Sequence, residues 1–576
     1  MVANAIAAGF LAAVYLTVLV LQINPHVPVV SMTAFRWFVA LLALYAPYLS
    51  VALLLLILAR EAIASRPLHP GWLSLRILAW LSAVASVAAA TITWANLRGM
   101  RSVLSDVAAD HMRQGAVATT VCAIVLAGVA ILRYSFGRRG NRPAAVLMAA
   151  AIAASILVPL WIRGPGEVPV PAPRRSNQAS PVTSPPRVRL LLIDGASRGF
   201  LLQRVASGQL PNFGTLIERG AVVDLATLRP TQAESVWTAA ATGKYPPKNG
   251  VRSEFIYRVG AGAGDEEAVN LLPDYCFAQA LLYQGFVKAG QLSSQSLRAR
   301  PLWDILADYA VSAGVVNWPL TRPAETRTGY LLSDAFDEAT SSPLRSGDLG
   351  AGDPTTAVDI ARQVFDRWQA LPWQQVIPGG AQDPRAAGLR RPRWDQAYSE
   401  AEQELTHEFQ PKFVALRLEG IDEIGHLYLL DAQPDLFGPA AGSDPRRSML
   451  DRYYASLDGQ VGRFMSAMAP GDLLVVLSGF GMERSSLVKV LFGRLIGEGD
   501  ITGSHETAPD GFLIAYGSNV AAGEYRRGSV VDVAPTVLYY MGLPIGRDMD
   551  GFARTEIFKP SYTRDRPMTY TLTHER

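Results

Sequence analysis

The chain has 576 residues, 49% of them hydrophobic, with 53 Lys and Arg against 50 Asp and Glu. That length allows more than one core, and a net charge of +3 is too small to mark a nucleic-acid partner. The only two cysteines, Cys122 and Cys276, exclude a disulfide framework.

The first third holds long uncharged runs, and from residue 188 onward charges recur at the frequency of a globular domain. Five runs reach the roughly 20 apolar residues that a membrane-crossing helix needs: 2–21, 37–59, 77–97, 115–132 and 144–162. The first has no basic n-region and four more follow it, so it reads as a retained helix, not a cleaved signal. Arginine in the short loops sets the orientation. Arg60, Arg66 and Arg76 follow the second span and Arg133, Arg138, Arg139 and Arg142 the fourth, whereas the alternate loops carry Arg36, Arg98, Arg101 and Arg113. The expectation is a multi-pass domain over 1–163 in the cell membrane, with its amino terminus inside and everything after it extracytoplasmic.

Residues 164–187, rich in proline and serine and without apolar period, read as a linker. Beyond them short apolar strands alternate with helical stretches, which predicts a mostly parallel sheet with helices on both faces over 188–560, followed by a polar tail over 561–576. The strand VRLLLI (188–193) ends at Asp194. FVALRL (413–418) is followed by Asp422 and His426, and LLVVL (473–477) stops at Ser478-Gly479-Phe480-Gly481. His505 precedes a strand at 511–516. Asp422 and His426, four apart, share a helix face, and a third ligand from a distant loop would give an oxygen and nitrogen set that zinc accepts. A helix cap or an ordinary helical pair would also account for these two residues. The GAGAGD stretch at 260–265 follows no clear strand and lacks a P-loop lysine, so it reads as a loop.

Taken in order, the motifs resemble the alkaline phosphatase superfamily, and within it the type I phosphodiesterase / nucleotide pyrophosphatase branch. LLLIDGASRGF looks like the opening strand with its metal Asp. LRPTQAESVWTAAATGKYPPKNGV looks like the nucleophile segment, LEGIDEIGH like the Asp-x-x-x-His motif, and GSHETAPDGFLIAYG like the carboxy-terminal His loop. The resemblance implies an alkaline-phosphatase-like α/β fold, two zinc ions and a Ser or Thr nucleophile. One metal site maps onto Asp422, His426 and His505, all present. The other maps onto Asp194, Gly479 and Phe480, where the family has a further Asp and His, and the nucleophile maps onto Ala233. Ser235, two residues on, is the candidate for a displaced nucleophile, with a helix-terminal hydroxyl as its other reading.

The losses fall on one catalytic unit and spare the neighbouring site. The resulting expectation is a membrane-anchored pseudoenzyme that holds one divalent metal, zinc by family, and acts by binding a phosphate-containing ligand, with a lipid-borne one reasonable beside a bilayer. A one-metal phosphoester hydrolase at Asp422, His426 and His505, and a membrane structural or assembly module, are the alternatives.

Overall fold

Five long helices take up the apolar runs: α1 (Val2–Ile23), α2 (Met32–Ile63), α3 (Leu75–Gly99), α4 (Asp106–Gly128) and α5 (Arg142–Arg163). Each is long and apolar enough to span a bilayer. The computed structural model describes residues 2–63, 74–135, 142–166, 184–260, 268–273, 279–337, 350–377, 386, 388–437, 448–486, 490, 501–505 and 507–575. Most of the proposed linker and most of the GAGAGD stretch lie outside them. The chain divides into two compact units, Met1–Pro171 with Arg252–Gln291, and Ala172–Val251 with Leu292–Arg576.

In the first unit, small residues let helices approach closely. A Cβ at Gly9 would stand 2.3 Å from the Ala46 Cα. Polar groups inside the bundle find partners there: the Tyr15 and Ser155 hydroxyls are 2.7 Å apart. Buried Arg163, in the last turn of α5, donates from Nε to the Leu21 carbonyl at 2.6 Å and from Nη2 to that of Asn24 at 3.1 Å. It thereby caps the carbonyl end of α1 with a cation. Residues 252–291 add an antiparallel hairpin, Phe255–Val259 with Val287–Gln291.

The second unit is built on a nine-stranded sheet. Its strands are β1 (Val188–Ile193), β2 (Ala221–Ala226), β3 (Ala313–Trp318), β4 (Gly329–Ser333), β5 (Gly352–Asp353), β6 (Phe413–Leu418), β7 (Leu473–Phe480), β8 (Asp510–Tyr516) and β9 (Gly523–Ser529), in the order β9-β2-β8-β7-β1-β6-β3-β4-β5. Only β8 and β5 pair antiparallel to their neighbours. Central strands such as VRLLLI are apolar except for the partly exposed Arg189, because both faces are covered. Val188, Leu190 and Leu192 enter one core with Trp237, and Leu191 and Ile193 enter the other with Phe200 and Tyr428.

β1 pairs in register with both neighbours, Leu192 opposite Arg417 of β6 and Leu477 of β7. The carboxyl ends of these strands therefore finish side by side, the place where α/β sheets gather ligands. β7 does not stop at Leu477 as its sequence suggested. It runs on to Phe480 because β8 continues the pairing, Ser478 with Phe512 and Phe480 with Asp510, and Gly511 lets the strands close, since a Cβ there would meet the Ser478 carbonyl oxygen at 2.0 Å.

Within 561–576, Tyr570–Thr571 pairs with Ile545–Gly546. Glu575 is buried, and its carboxylate accepts from Lys244 Nζ at 2.7 Å. Residues 573–575 of the expected polar tail are thus docked, while 564–570 are exposed.

Candidate metal centre

The helix Gly420–Ala432 starts directly after β6. Its entry is fixed by buried Asp395, whose carboxylate accepts from the backbone amides of Glu419 at 2.9 Å and Gly420 at 2.7 Å and from the Tyr453 hydroxyl. These acceptors satisfy donors at the start of the helix that have no partner within it. Asp422 and His426, one turn apart, then face the same way. Gly195 after β1, at φ +72°, allows the close approach of Asp422, whose Cα would stand 2.9 Å from a Cβ there.

His505 completes the group. Asp422 Oδ2 lies 3.5 Å from His426 Nε2, and Asp422 Oδ1 lies 3.8 Å from His505 Nε2. Ligand atoms from all three residues lie within 4.8 Å of one another. The far nitrogen of each ring is engaged by backbone: His426 Nδ1 is 2.8 Å from the Gly503 carbonyl oxygen, and His505 Nδ1 is 3.0 Å from that of Thr231. A carbonyl can only accept, so both Nδ1 atoms carry the proton and a neutral ring presents a lone pair at Nε2. Two lone pairs and a carboxylate then converge on one point. Asp422 Oδ1 is buried without a hydrogen-bond partner. Burial raises the Asp422 carboxyl, but when the rings are protonated a hydrogen bond from His426 Nε2 and the positive charges of the two imidazoliums outweigh it and hold the carboxyl below its ordinary range. Such an arrangement fits a cation. Three ligands with one position open and a hydrogen-bonded outer shell match the composition of zinc sites.

Asp194, expected as a ligand of a second ion, does not join this cluster. It is buried, and both its oxygens are taken. Oδ1 accepts from Trp237 Nε1 at 2.6 Å, and Oδ2 accepts from Arg417 Nε at 3.0 Å and Nη2 at 2.6 Å. Arg417 is itself buried on β6 and also meets Glu419 at 3.3 Å. A guanidinium thus supplies the positive charge that the family resemblance assigns to a metal ion. The neighbouring positions are filled as well. A Cβ at Gly479 would stand 2.4 Å from Val236 Cγ1, and the Phe480 ring, 1% exposed, lies against His505 with centroids 5.0 Å apart.

Ala233 opens the helix Ala233–Thr242 and offers no nucleophile. Ser235 is fully buried with no hydrogen-bond partner for its Oγ, so its hydroxyl is sealed into the helix packing. Arg417 and Trp237 were missed by the sequence reading. The signal for Arg417 was present: an arginine within FVALRL, a strand otherwise apolar throughout, requires a buried partner. Because the space at Gly479 is already occupied, Gly479→Ala is expected to destabilise the second unit by about 1–3 kcal/mol through overpacking. Urea unfolding of the two chains checks this, and equal midpoints would show that Val236 yields without cost.

A mostly parallel sheet that gathers two histidines and an aspartate near its strand tips defines a candidate metal centre on an α/β fold. Residues 188–514 match the model of the type I phosphodiesterase / nucleotide pyrophosphatase family, and the chain belongs to that family. No curated protein matches the chain. Among solved structures it is similar to murine ectonucleotide pyrophosphatase / phosphodiesterase 5, an inactive form in complex with AMP, at 12% identity, covering 65% of this chain and 100% of that one with a TM-score of 0.38. The human protein of the same name matches at 11% identity over 65% of this chain and 100% of that one, TM-score 0.40. Wild-type alkaline phosphatase PafA matches at 11% over 66% and 100%, TM-score 0.43.

Proposed function

We propose that the protein is a membrane-anchored pseudoenzyme of the phosphodiesterase type, its second unit extracytoplasmic, which holds one divalent metal ion, zinc by preference, at Asp422, His426 and His505 and binds a phosphate-containing ligand without turning it over by two-metal chemistry. The carrying observation is the closure of the second site: Asp194 is saturated by Arg417 and Trp237, and the positions of Gly479 and Phe480 are packed solid.

The chemistry a bound zinc supplies is charge for a phosphoryl oxygen and a lowered pKa for its water. This chain's own residues do the rest. The Gly503 and Thr231 carbonyls hold both imidazoles in the ligating tautomer, Asp395 fixes the start of the helix that carries Asp422, and Phe480 walls His505 from water on one side. No hydroxyl nucleophile stands at position 233. The bilayer is the setting by composition, and the arginine-rich loops around 60–76 and 133–142 support an inward amino terminus.

The test is hydrolysis of p-nitrophenyl phosphate and bis(p-nitrophenyl) phosphate by the zinc-loaded, detergent-solubilised chain, alongside calorimetric titration with inorganic phosphate. The expected result is phosphate binding that depends on His426, with no turnover above buffer. The three-ligand count, which leaves a metal position open, favours one alternative, a one-metal hydrolase. Turnover abolished by His426→Ala would establish that reading and remove ours.

A further inference from the structure

Residues 252–291 interrupt the second unit in sequence, after the helix Ala233–Thr242 and the turn Pro246–Asn249, yet they belong to the unit of the membrane helices. The contact has the character of a specific interface. Asn24, just beyond the end of α1 and fully buried, uses its whole side-chain amide: Nδ2 donates to the Val20 carbonyl at 2.9 Å and to the Leu271 carbonyl at 2.8 Å, and Oδ1 accepts from the amides of Asn270 and Leu271, each at 2.9 Å. Two donors and two acceptor lone pairs are all that a carboxamide has. His26 Nε2 lies 2.8 Å from the Ala268 carbonyl oxygen, and Gln284 Nε2 donates to the Tyr48 hydroxyl at 2.7 Å.

Apolar burial accompanies these bonds. Leu271 packs with Leu19, Ile23, Met100 and Leu104, and Val269, Leu281 and Val287 pack with residues of α1 and α2 such as Val20 and Trp37. At about 25 cal/mol per Å², a handful of buried aliphatic side chains exceeds what a chance surface contact provides. The same contacts place the 24–31 turn, the α3–α4 turn and the hairpin on one side of the bundle.

We propose that residues 252–291 are a clasp by which the membrane helices hold the outer chain non-covalently, with Asn24 as its reader of main chain and Leu271 as its apolar anchor. The second unit is then joined to the first by the chain on either side of residues 252–291 as well as by the linker. A flexible linker of the length of residues 164–187 alone would let the outer unit wander roughly 25–30 Å in root-mean-square reach. The clasp instead fixes the chain at a second point, immediately after the segment that bears Ala233 and Lys244. The inference rests on the helices being membrane-embedded and not on the metal centre or its ligand.

The test uses the whole chain with a protease site placed within residues 171–180, reconstituted in phosphatidylcholine vesicles. The intact tether gives an effective concentration near millimolar and would mask a failed contact, so the tether is cut. After cleavage the wild-type outer fragment is expected to sediment with the vesicles. Asn24→Leu and Leu271→Asp, which alter opposite sides of the contact, are each expected to release at least tenfold more fragment. Release of the wild type to the same extent as the variants overturns the proposal, and so does retention of both variants, which would mean another surface holds the fragment. Hydrogen exchange on the uncut chain gives a readout independent of folding defects in the variants. The Asn270 and Leu271 amides are expected to be protected at least tenfold over the unstructured-peptide rate, and exchange at that rate would also overturn it.

Discussion

Arg417→Ala is expected to destabilise the second unit by about 3–5 kcal/mol, the cost of leaving one partner of a buried ion pair without the other. The guanidinium makes two of the three hydrogen bonds that Asp194 receives, and both residues lie almost fully out of solvent. Removing it leaves a carboxylate in the interior with only the Trp237 N–H. The double replacement Asp194→Asn with Arg417→Met removes both charges and is expected to cost less than the single change. The defect has a pH signature. In the wild type, burial pushes the Asp194 carboxyl up to about 6 against the pull of Arg417. Without the guanidinium it rises further. A carboxyl raised in the folded state contributes stability that is present below its unfolded pKa near 4 and is lost as pH rises through the folded value. The Arg417→Ala defect is therefore expected to be mild at pH 4 and full at pH 8. Pulse proteolysis across a urea series at the two pH values measures it, and a midpoint unchanged from wild type at pH 8 would rule out the ion pair as a buried structural element.

The second large effect concerns metal stoichiometry. Dialysed against zinc, the solubilised chain is expected to hold one ion, and the combined His426→Ala and His505→Ala chain none. Outer-shell changes alone cost such sites about 10–100-fold in affinity, and deleting two of three ligands costs more, because one carboxylate cannot compete with water. His407→Ala, at an exposed position, serves as the control for non-specific binding and is expected to leave the count at one. Elemental analysis per mole of protein reads the result. Two ions in the wild type would mean that Arg417 gives way to metal at Asp194 and that the second site is intact.

The sequence carried the fold because its signals were local: continuous apolar strands, the spacing of Asp422 and His426 on one helix turn, and helices of membrane-crossing length. It carried the grouping of Asp422, His426 and His505 because the ligand positions of the motifs there are all present, although Ile421 stands where the family has Thr. What it did not carry were the replacements. That Gly479 and Phe480 differ from the family pattern was readable, but that Val236 fills the space beside Gly479 and that Trp237 and Arg417 saturate Asp194 depends on β1, β6 and β7 lying in register, which sums over residues far apart in the chain. β7 was read too short because Ser-Gly-Phe-Gly looks like a break until the partner strand supplies its hydrogen bonds. The clasp was invisible for a different reason. Nothing in the composition of residues 252–291 separates a loop of the outer unit from one that packs against helices more than 200 residues earlier.

The central position of β1 has a consequence for biosynthesis. Both strands that flank it come from much later in the chain, roughly 220 residues separating Ile193 from the start of β6. At about 5–20 residues per second that is some 10–45 s of synthesis. For that interval VRLLLI, an apolar segment with two unpaired edges, emerges without its sheet and is the kind of segment that pairs with strangers. Until residues 413–480 arrive the segment stays open to such pairing, and the yield of the protein in a foreign host is expected to follow how well it is shielded during that interval more closely than it follows the stability of the finished fold.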